Sequence, residues 1–508
     1  MMGSFVTSEG PTKILRSGDV RQGSQAYRSI ESATRRLDSI ICAFFSWFDC
    51  VFHHSLIGEG VLYLGQKGAT WVSSSFFAKW SGWFLRLLFT PCNQPVTEGT
   101  FFGIILALGA FVSTDMQILS FAVFLFILLW RRVTLEQCGS PLAHLPFQLV
   151  LPFMFLFLFI AGATVSSVAP GQSLMNFVLW CFNGLVFLVA FDTASRGRED
   201  SVIWPFLTGV TLSSMVGIYQ HLSGWQPPRS WLDAKFEDEI VRVVGTFRNP
   251  TFFAEMIGLA LPLSLALLIK NKSLRDKVVL LVYVLIQGTA LVLTWSRGAW
   301  LGFIASFAIM AVLFDKRLLI VGLGLAIAGV IVAPPVLVER LLSSFTLDDS
   351  SNSYRLFIWR GSIALLRDNL FRGVGLGAES FVQIYPEYMI IQTPAPHAHS
   401  TYLQMLIELG LCGFLVLMWL LLACPWYAMA ALFAEKGRGF ERWAYTGVLS
   451  GVVGAAAGHM LQGVVEHTWY NPQITAIFWA WLGVAVGVSC ALRSRGPGEA
   501  PRKEAPCN

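Results

Sequence analysis

The chain predicts an all-α polytopic membrane protein with about 12 transmembrane helices and a large, partly helical exterior loop between the ninth and tenth spans. Three observations carry this expectation. The 508 residues are 55% hydrophobic and only 13% charged, with 18 Trp, 40 Phe and a mean hydropathy of +0.61, which is more apolar surface than a water-soluble globule encloses. The apolar runs have helix length, about 17–22 residues, rather than the roughly ten-residue alternation of a membrane β-barrel. Basic clusters also recur at every second connection between the runs, the pattern of a chain that threads back and forth with its positive residues kept inside.

Residues 1–97 form a basic, mixed segment in which Lys13, Arg16, Arg21, Arg28, Arg35, Arg36, Lys67, Lys79 and Arg86 stand among short apolar pieces. Those pieces carry too many polar groups for a clear span, so they read as amphipathic helices lying on the cytoplasmic surface in contact with membrane lipids. The alternative is an extra transmembrane hairpin within 40–90. No short apolar segment followed by a small-residue cleavage site opens the chain, so no removed signal peptide is expected.

Spans are expected near 98–112, 117–130, 146–168, 173–191, 202–222, 250–269, 278–295, 298–314, 318–338, 400–430, 443–463 and 472–492, followed by a cytoplasmic tail, 493–508. With both termini in the cytoplasm, that side collects most of the 36 Lys and Arg, including Arg131–Arg132, Arg196 and Arg198, Lys270–Lys277, Lys316–Arg317 and Lys436–Arg442. The nine cysteines show no metal-ligand spacing and none falls in a large exterior loop, so free thiols are expected.

The basic residues left outside are Arg229, Lys235, Arg242, Arg248, Arg297, Arg340, Arg355, Arg360, Arg367 and Arg372. Nine arginines to one lysine is a bias toward the planar fork that grips phosphate oxygens in two places. It suggests an anionic ligand on the exterior face; pairing with loop carboxylates such as Glu237 and Asp348 is the bland alternative. Two loops dominate that face, Ser223–Pro250 and 339–399, and loops as long as the second usually have a function. Within it, Tyr354–Asn369 reads as an amphipathic helix with Leu356, Trp359, Ile363 and Leu366 on one face. Arg372-Gly-Val-Gly-Leu-Gly377 reads as a tight turn, because no strand precedes it as a dinucleotide fingerprint requires. Asp348-Asp349 sits in a serine-rich turn and is not read as a metal site.

Pro396-His397-Ala398-His399-Ser400 runs into an apolar helix bearing Glu408, and ionisable groups at such a boundary default to a functional reading. Arg297 is held in a turn of few residues between two spans, either snorkelling to the interface or aimed into a cavity. Glu255, His459, Glu466 and His467 read as packing pairs within or beside spans.

Four stretches together resemble the O-antigen ligase and O-antigen polymerase superfamily of bacterial membrane glycan transferases: Gly245-Thr-Phe-Arg-Asn-Pro250, Ser296-Arg-Gly298, Tyr354–Trp359 with Gly373-Val-Gly375, and His399–Gln404 with Glu408-Leu-Gly410. The similarity covers about residues 200–425, in the family's order, with Ser400 and Thr251 where the family usually carries Asn. The resemblance implies that 98–492 is a glycan-transferase domain of about twelve helices in the cytoplasmic membrane, with its site facing the periplasm. It implies a polyprenyl-diphosphate-linked glycan donor, undecaprenyl diphosphate being the expected carrier, and a lipid- or glycan-linked acceptor; no nucleic acid, cofactor or metal is expected. On this reading His399 is the general base and Arg297 stabilises the departing diphosphate. Arg242, Arg248, Asn249, Arg355, Arg360, His397 and Glu408 are candidate diphosphate- or substrate-binding residues, with His397 and Glu408 in supporting positions. Metal-independent attack opposite the leaving group would invert the anomeric centre. The rival classes are a polysaccharide polymerase, a secondary transporter, which would more often show two related halves, and a non-catalytic scaffold.

Overall fold

The computed structural model describes residues 97–112, 116, 119–120, 122–124, 145–226, 241–271, 273–314, 316–342, 350–435 and 443–493. The chain divides into two units at residues 72 and 73, and all of the described residues lie in the second. The basic segment 1–96 with its hairpin alternative, most of the 117–130 run, the middle of the first long loop and the tail beyond Arg493 lie outside the described residues.

All regular structure among the described residues is helical. The helices are α1 (Thr97–Leu108), α2 (Phe147–Val165), α3 (Pro170–Ser195), α4 (Asp200–Leu222), α5 (Pro250–Lys270), α6 (Leu274–Leu293), α7 (Arg297–Phe314), α8 (Arg317–Val332), α9 (Pro335–Leu342), α10 (Ser350–Asn369), α11 (Ala378–Ile384), α12 (Thr401–Glu435), α13 (Trp443–Gln462) and α14 (Pro472–Arg493), with a 3₁₀ turn at Tyr385–Tyr388. Eight of these, α2 to α7, α12 and α14, are long and apolar enough to cross a membrane. Shorter apolar helices run over Gly99–Leu108 and Arg317–Val332. Among the described residues, eight helices therefore meet the length and composition that spanning requires.

The packing centres on α14, whose hydrophobic window is 94% buried. It lies along α3, and also touches α12, α13 and α5. Close approach is possible because Gly483 presents no Cβ; one added there would stand 2.4 Å from the Phe187 carbonyl oxygen of α3. Around this axis α7 and α5 pack on α13, α1 on α4, α12 on α2, and α6 on both α4 and α5. Aliphatic residues on the outer faces of α6 and α8, such as Leu285, Ile331 and Val332, are exposed, as lipid-facing residues are in a chain that spans a bilayer.

Between α8 and α12 the structure builds a small helical cap. In α10 the buried positions are Ile358, Gly361, Ser362 and Leu365, one to two residues away from the expected stripe, and Ile363 is 42% exposed. The reason is the partner: Ile358 and Leu365 pack with Phe381, Tyr385 and Ala398 in a satellite core, so the face is chosen by the cap beneath it and not by the run of apolar letters alone. The glycine turn behaves as expected, with positive φ at Gly373, Gly375 and Gly377.

Two expected spans are interrupted: 318–338 divides at 333–334 between α8 and α9, and 400–430 breaks within α12. At Gly410 the backbone of α12 leaves helical geometry (φ 69°, ψ 175°), a conformation open to glycine and costly for other residues. The groups freed by the break are taken by the cap: Leu411 N–H donates to the Leu370 carbonyl at 2.7 Å and Val374 N–H to the Ile407 carbonyl at 2.9 Å. The first turns of α12 are thereby fixed to the loop that carries the glycine turn.

Candidate functional site

The site assembles from four connections at one end of the bundle. The His397–Ser400 loop is anchored through the two residues that open α12. Thr401 N–H donates to the carbonyls of Gly463 (2.8 Å) and Glu466 (3.0 Å), and the Thr401 hydroxyl accepts from Thr468 N–H at 2.9 Å. Tyr402 donates its hydroxyl to the Met460 carbonyl at 2.8 Å. The start of α12 is thus tied along the α13–α14 connection, which brings Glu466 beside His399.

His399 itself sits at φ 48°, a left-handed backbone that a bulky residue adopts only under constraint. The constraint is visible: its N–H donates to His397 Nδ1 at 3.1 Å, and Trp359 Nε1 of α10 donates to its carbonyl at 3.3 Å. His399 Nδ1 stands 3.7 Å from Glu466 Oε2, within ion-pair range and beyond a hydrogen bond. The other Glu466 oxygen accepts from Arg355 Nη2.

The arginines come from the remaining connections. Val243 N–H donates to the Leu293 carbonyl (3.2 Å), and Gln220 of α4 accepts from both Val244 and Gly245 N–H at 3.0 Å. With its loop so held, Arg242 donates Nε–H to the Thr294 carbonyl at 3.1 Å. The turn 294–296 is closed by Trp295 at φ 53° and by Ser296 N–H donating to the Thr294 hydroxyl at 3.3 Å, so Arg297 opens α7 with little freedom and is 8% exposed. The next residue places it: a Cβ on Gly298 would lie 3.7 Å from Glu466 Cγ. Arg340, near the end of α9, is 5% exposed.

These charges act on one another. Burial, then the positive charge of Arg340, lower the Arg242 guanidinium to about 10, with Arg297 and Arg355 adding to the effect and Glu466 opposing it. Burial alone would raise the Glu466 carboxyl; Arg355 foremost, with His399 and His397, holds it below the ordinary carboxylate range. His397 falls to about 3 through burial and the neighbouring His399, so its ring is neutral near pH 7 and its Nδ1 is the acceptor that the His399 N–H uses. His467, whose ring lies 5.3 Å from that of His397, is lowered well below its usual value by burial, then by His397 and His399.

The residues singled out from the sequence divide into two groups. Arg355 and His399 meet on Glu466, with His397 against His399, and Arg242 interacts by charge with Arg340, Glu466, Arg297 and Arg355. Glu408 is elsewhere: it accepts from Gly377 N–H (2.7 Å) and Gln404 Nε2 (2.8 Å), and Gln404 Oε1 in turn accepts from Ala398 N–H at 2.8 Å. Its carboxylate supports the histidine loop through Gln404 and lines a cavity. Asn249 caps α5, its Oδ1 accepting from Thr251 N–H at 2.8 Å. Arg248 and Arg360 are exposed. Two members of the cluster went unselected in the sequence, Arg340 and Glu466. The signal for Glu466 was present: with His467 it is an ionisable pair between two apolar runs, the same feature that selected His399. Among the described residues no group of three or more His, Cys, Asp or Glu could hold a metal ion.

Residues 279–418 match a family model described as O-Antigen ligase. This stretch is similar to the O-antigen ligase superfamily. Comparison with curated proteins finds no match to the chain. The O-antigen ligase match is shorter than the 200–425 resemblance and runs from within α6 to within α12, taking in Arg297, Arg340, Arg355, His397, His399 and Glu408. Arg242 and Glu466 reach the same cluster from outside it. The match suggests a membrane glycosyltransferase of the O-antigen ligase or polymerase kind.

Proposed function

We propose that the protein transfers a glycan from a polyprenyl-diphosphate carrier to an acceptor hydroxyl on the exterior face of the bacterial cytoplasmic membrane, in the manner of an O-antigen ligase. One observation carries the reading: Glu466 is shared between Arg355 and His399 inside a group of arginines that already repel one another. An assembled set of guanidinium groups is most favourable around a multiply charged anion, and a diphosphate is such an anion.

In this reading Arg242, Arg297, Arg340 and Arg355 bind the diphosphate and stabilise the charge it gains as it leaves. Glu466 lies behind His399 Nδ1, leaving Nε2 to take the acceptor's proton, as a carboxylate behind an imidazole does in hydrolytic triads. The acceptor oxygen bonds to the anomeric carbon, the bond to the phosphate oxygen breaks with its electron pair, and the proton passes to His399. Attack from the face opposite the diphosphate inverts the anomeric centre. The positive-inside pattern supports a twelve-span topology with both termini in the cytoplasm.

The test is reconstitution in liposomes with a polyprenyl-diphosphate glycan and a lipid-linked saccharide acceptor, read by mass spectrometry. One transferred block on the acceptor lipid supports the ligase reading. A ladder of repeats on one carrier makes the protein a polymerase, and solute flux without product would make it a carrier and overturn the proposal.

A further inference from the structure

Beyond His397, on the side of His467, the same end of the bundle holds a cleft of quite different chemistry. It measures about 420 Å³ and is bounded by α3, the start of α11, α12 and the α13–α14 connection, within the range of about 300–1,000 Å³ usual for ligand sites. A more open cavity of about 640 Å³ shares Gln172, Ala378, Glu379 and Tyr470 with it and forms its mouth. Among the described residues that line either cavity there is no arginine or lysine, while Glu379 and Glu408 are present. A diphosphate would therefore be repelled here.

What the cleft does offer is aromatic surface and unsatisfied polar atoms. Trp180 and Trp469 line it in an edge-on pair with centroids 5.9 Å apart, and Tyr470 stands at its mouth. Asn183, one helical turn deeper than Trp180, is 6% exposed, and its Oδ1 has no hydrogen-bond partner. His467 is likewise 6% exposed with Nδ1 unpartnered. Buried polar atoms in folded proteins are nearly always paired, so Asn183 and His467 bring unused hydrogen-bonding capacity to the wall of one cleft. An acyl chain would leave both unpaired. A sugar satisfies them, since each hydroxyl can both donate and accept, and its C–H faces lie against aromatic rings.

We infer that this cleft is a saccharide subsite that binds an uncharged, hydroxyl-rich segment of one of the two glycans, separate from the arginine cluster and joined to it through His397 and His467. The inference rests on the glycan-transfer reading for the identity of its ligand. Binding itself does not require turnover.

The experiment is saturation-transfer NMR on the purified full-length protein, using as probes the oligosaccharides released by mild acid from the donor and, separately, from the acceptor. Wild type and Arg297→Ala should both saturate one of these probes, and whichever responds identifies the glycan that occupies the cleft. Asn183→Leu, which removes the buried acceptor, and Ala378→Trp, which plugs the mouth from a partly exposed position, should each lower the signal at least about fivefold. If Asn183→Leu fails to fold, Ala378→Trp decides. A wild type that saturates neither probe, or a signal undiminished in the folded variants, overturns the inference. Should Arg297→Ala retain full transfer activity, the arginine mechanism falls while the binding result stands by itself.

Discussion

Glu408 and Glu466 are carboxylates at the same end of the bundle, and they have been given opposite kinds of partner. Glu408 is 2% exposed and held by two neutral donors, the Gly377 N–H and the Gln404 amide. Glu466 keeps a side chain 16% exposed and meets a guanidinium on one oxygen and an imidazole on the other. Neutral donors fix a carboxylate in place without committing its charge, whereas a cation and a titratable ring make the charge part of the site's electrostatics. The first arrangement stiffens the loop that presents His399; the second sets how His399 and the arginines behave.

Breaking the Glu466 side of this comparison should have the largest effect. Glu466→Gln keeps the shape and removes the charge, and transfer by the reconstituted protein should fall by about 10²–10⁴-fold, the range of a lost acid–base contribution. Full activity in this variant would reduce Glu466 to a packing group. Arg242→Ala comes next, with a fall of about 10²–10³-fold expected for loss of one stabilising donor. Arg242→Lys should recover only part, because an ammonium cannot reproduce the two-pronged grip. Steady-state kcat and KM for the donor distinguish the two substitutions.

Glu408→Gln should act mainly on stability. Losing one of two buried hydrogen bonds costs about 1–3 kcal/mol, visible as a lower thermal midpoint in detergent, while kcat changes only a few-fold. A collapse of kcat at unchanged stability would move Glu408 into the chemistry. The smallest effect concerns His397, and its sign comes from its low native value of about 3 against an ordinary 6.5. Above 6.5 the ring is neutral folded and unfolded, so it adds no pH dependence. As pH falls from 6.5 toward 3 the unfolded chain takes up a proton that the native ring refuses, and stability declines. His397→Gln should therefore show a shallower loss of thermal stability across that window; an unchanged slope would mean the ring is solvated.

Much of the fold was legible because apolar runs of helix length declare themselves: apart from 117–130, and from 318–338, which is divided between α8 and α9, each expected span coincides with a helix among the described residues. The face of α10 was not, since Ile358 and Leu365 are buried with Phe381 and Tyr385, which lie beyond the turn at Gly373–Gly377. Nor was the break at Gly410, where a glycine inside an apolar run looks like packing until the cap's backbone is seen to need the freed groups. In the site, Arg297 and His399 were readable from their position at membrane boundaries. Glu466 carried the same local signal, but its partners did not: they follow from the hydrogen bonds that tie Thr401 to the 463–468 segment, a pairing across more than sixty residues that no local pattern encodes. Asn249 has a local role the sequence reading did not name: its Oδ1 caps α5.

The central claim is that His399, held in a strained backbone beside Glu466, removes the acceptor proton while the arginines hold the diphosphate. Single-turnover transfer by His399→Ala, with donor binding measured on the same sample, tests it most directly. The account predicts unchanged donor binding and a transfer rate at least about 10²-fold lower; transfer within about twofold of wild type would contradict it.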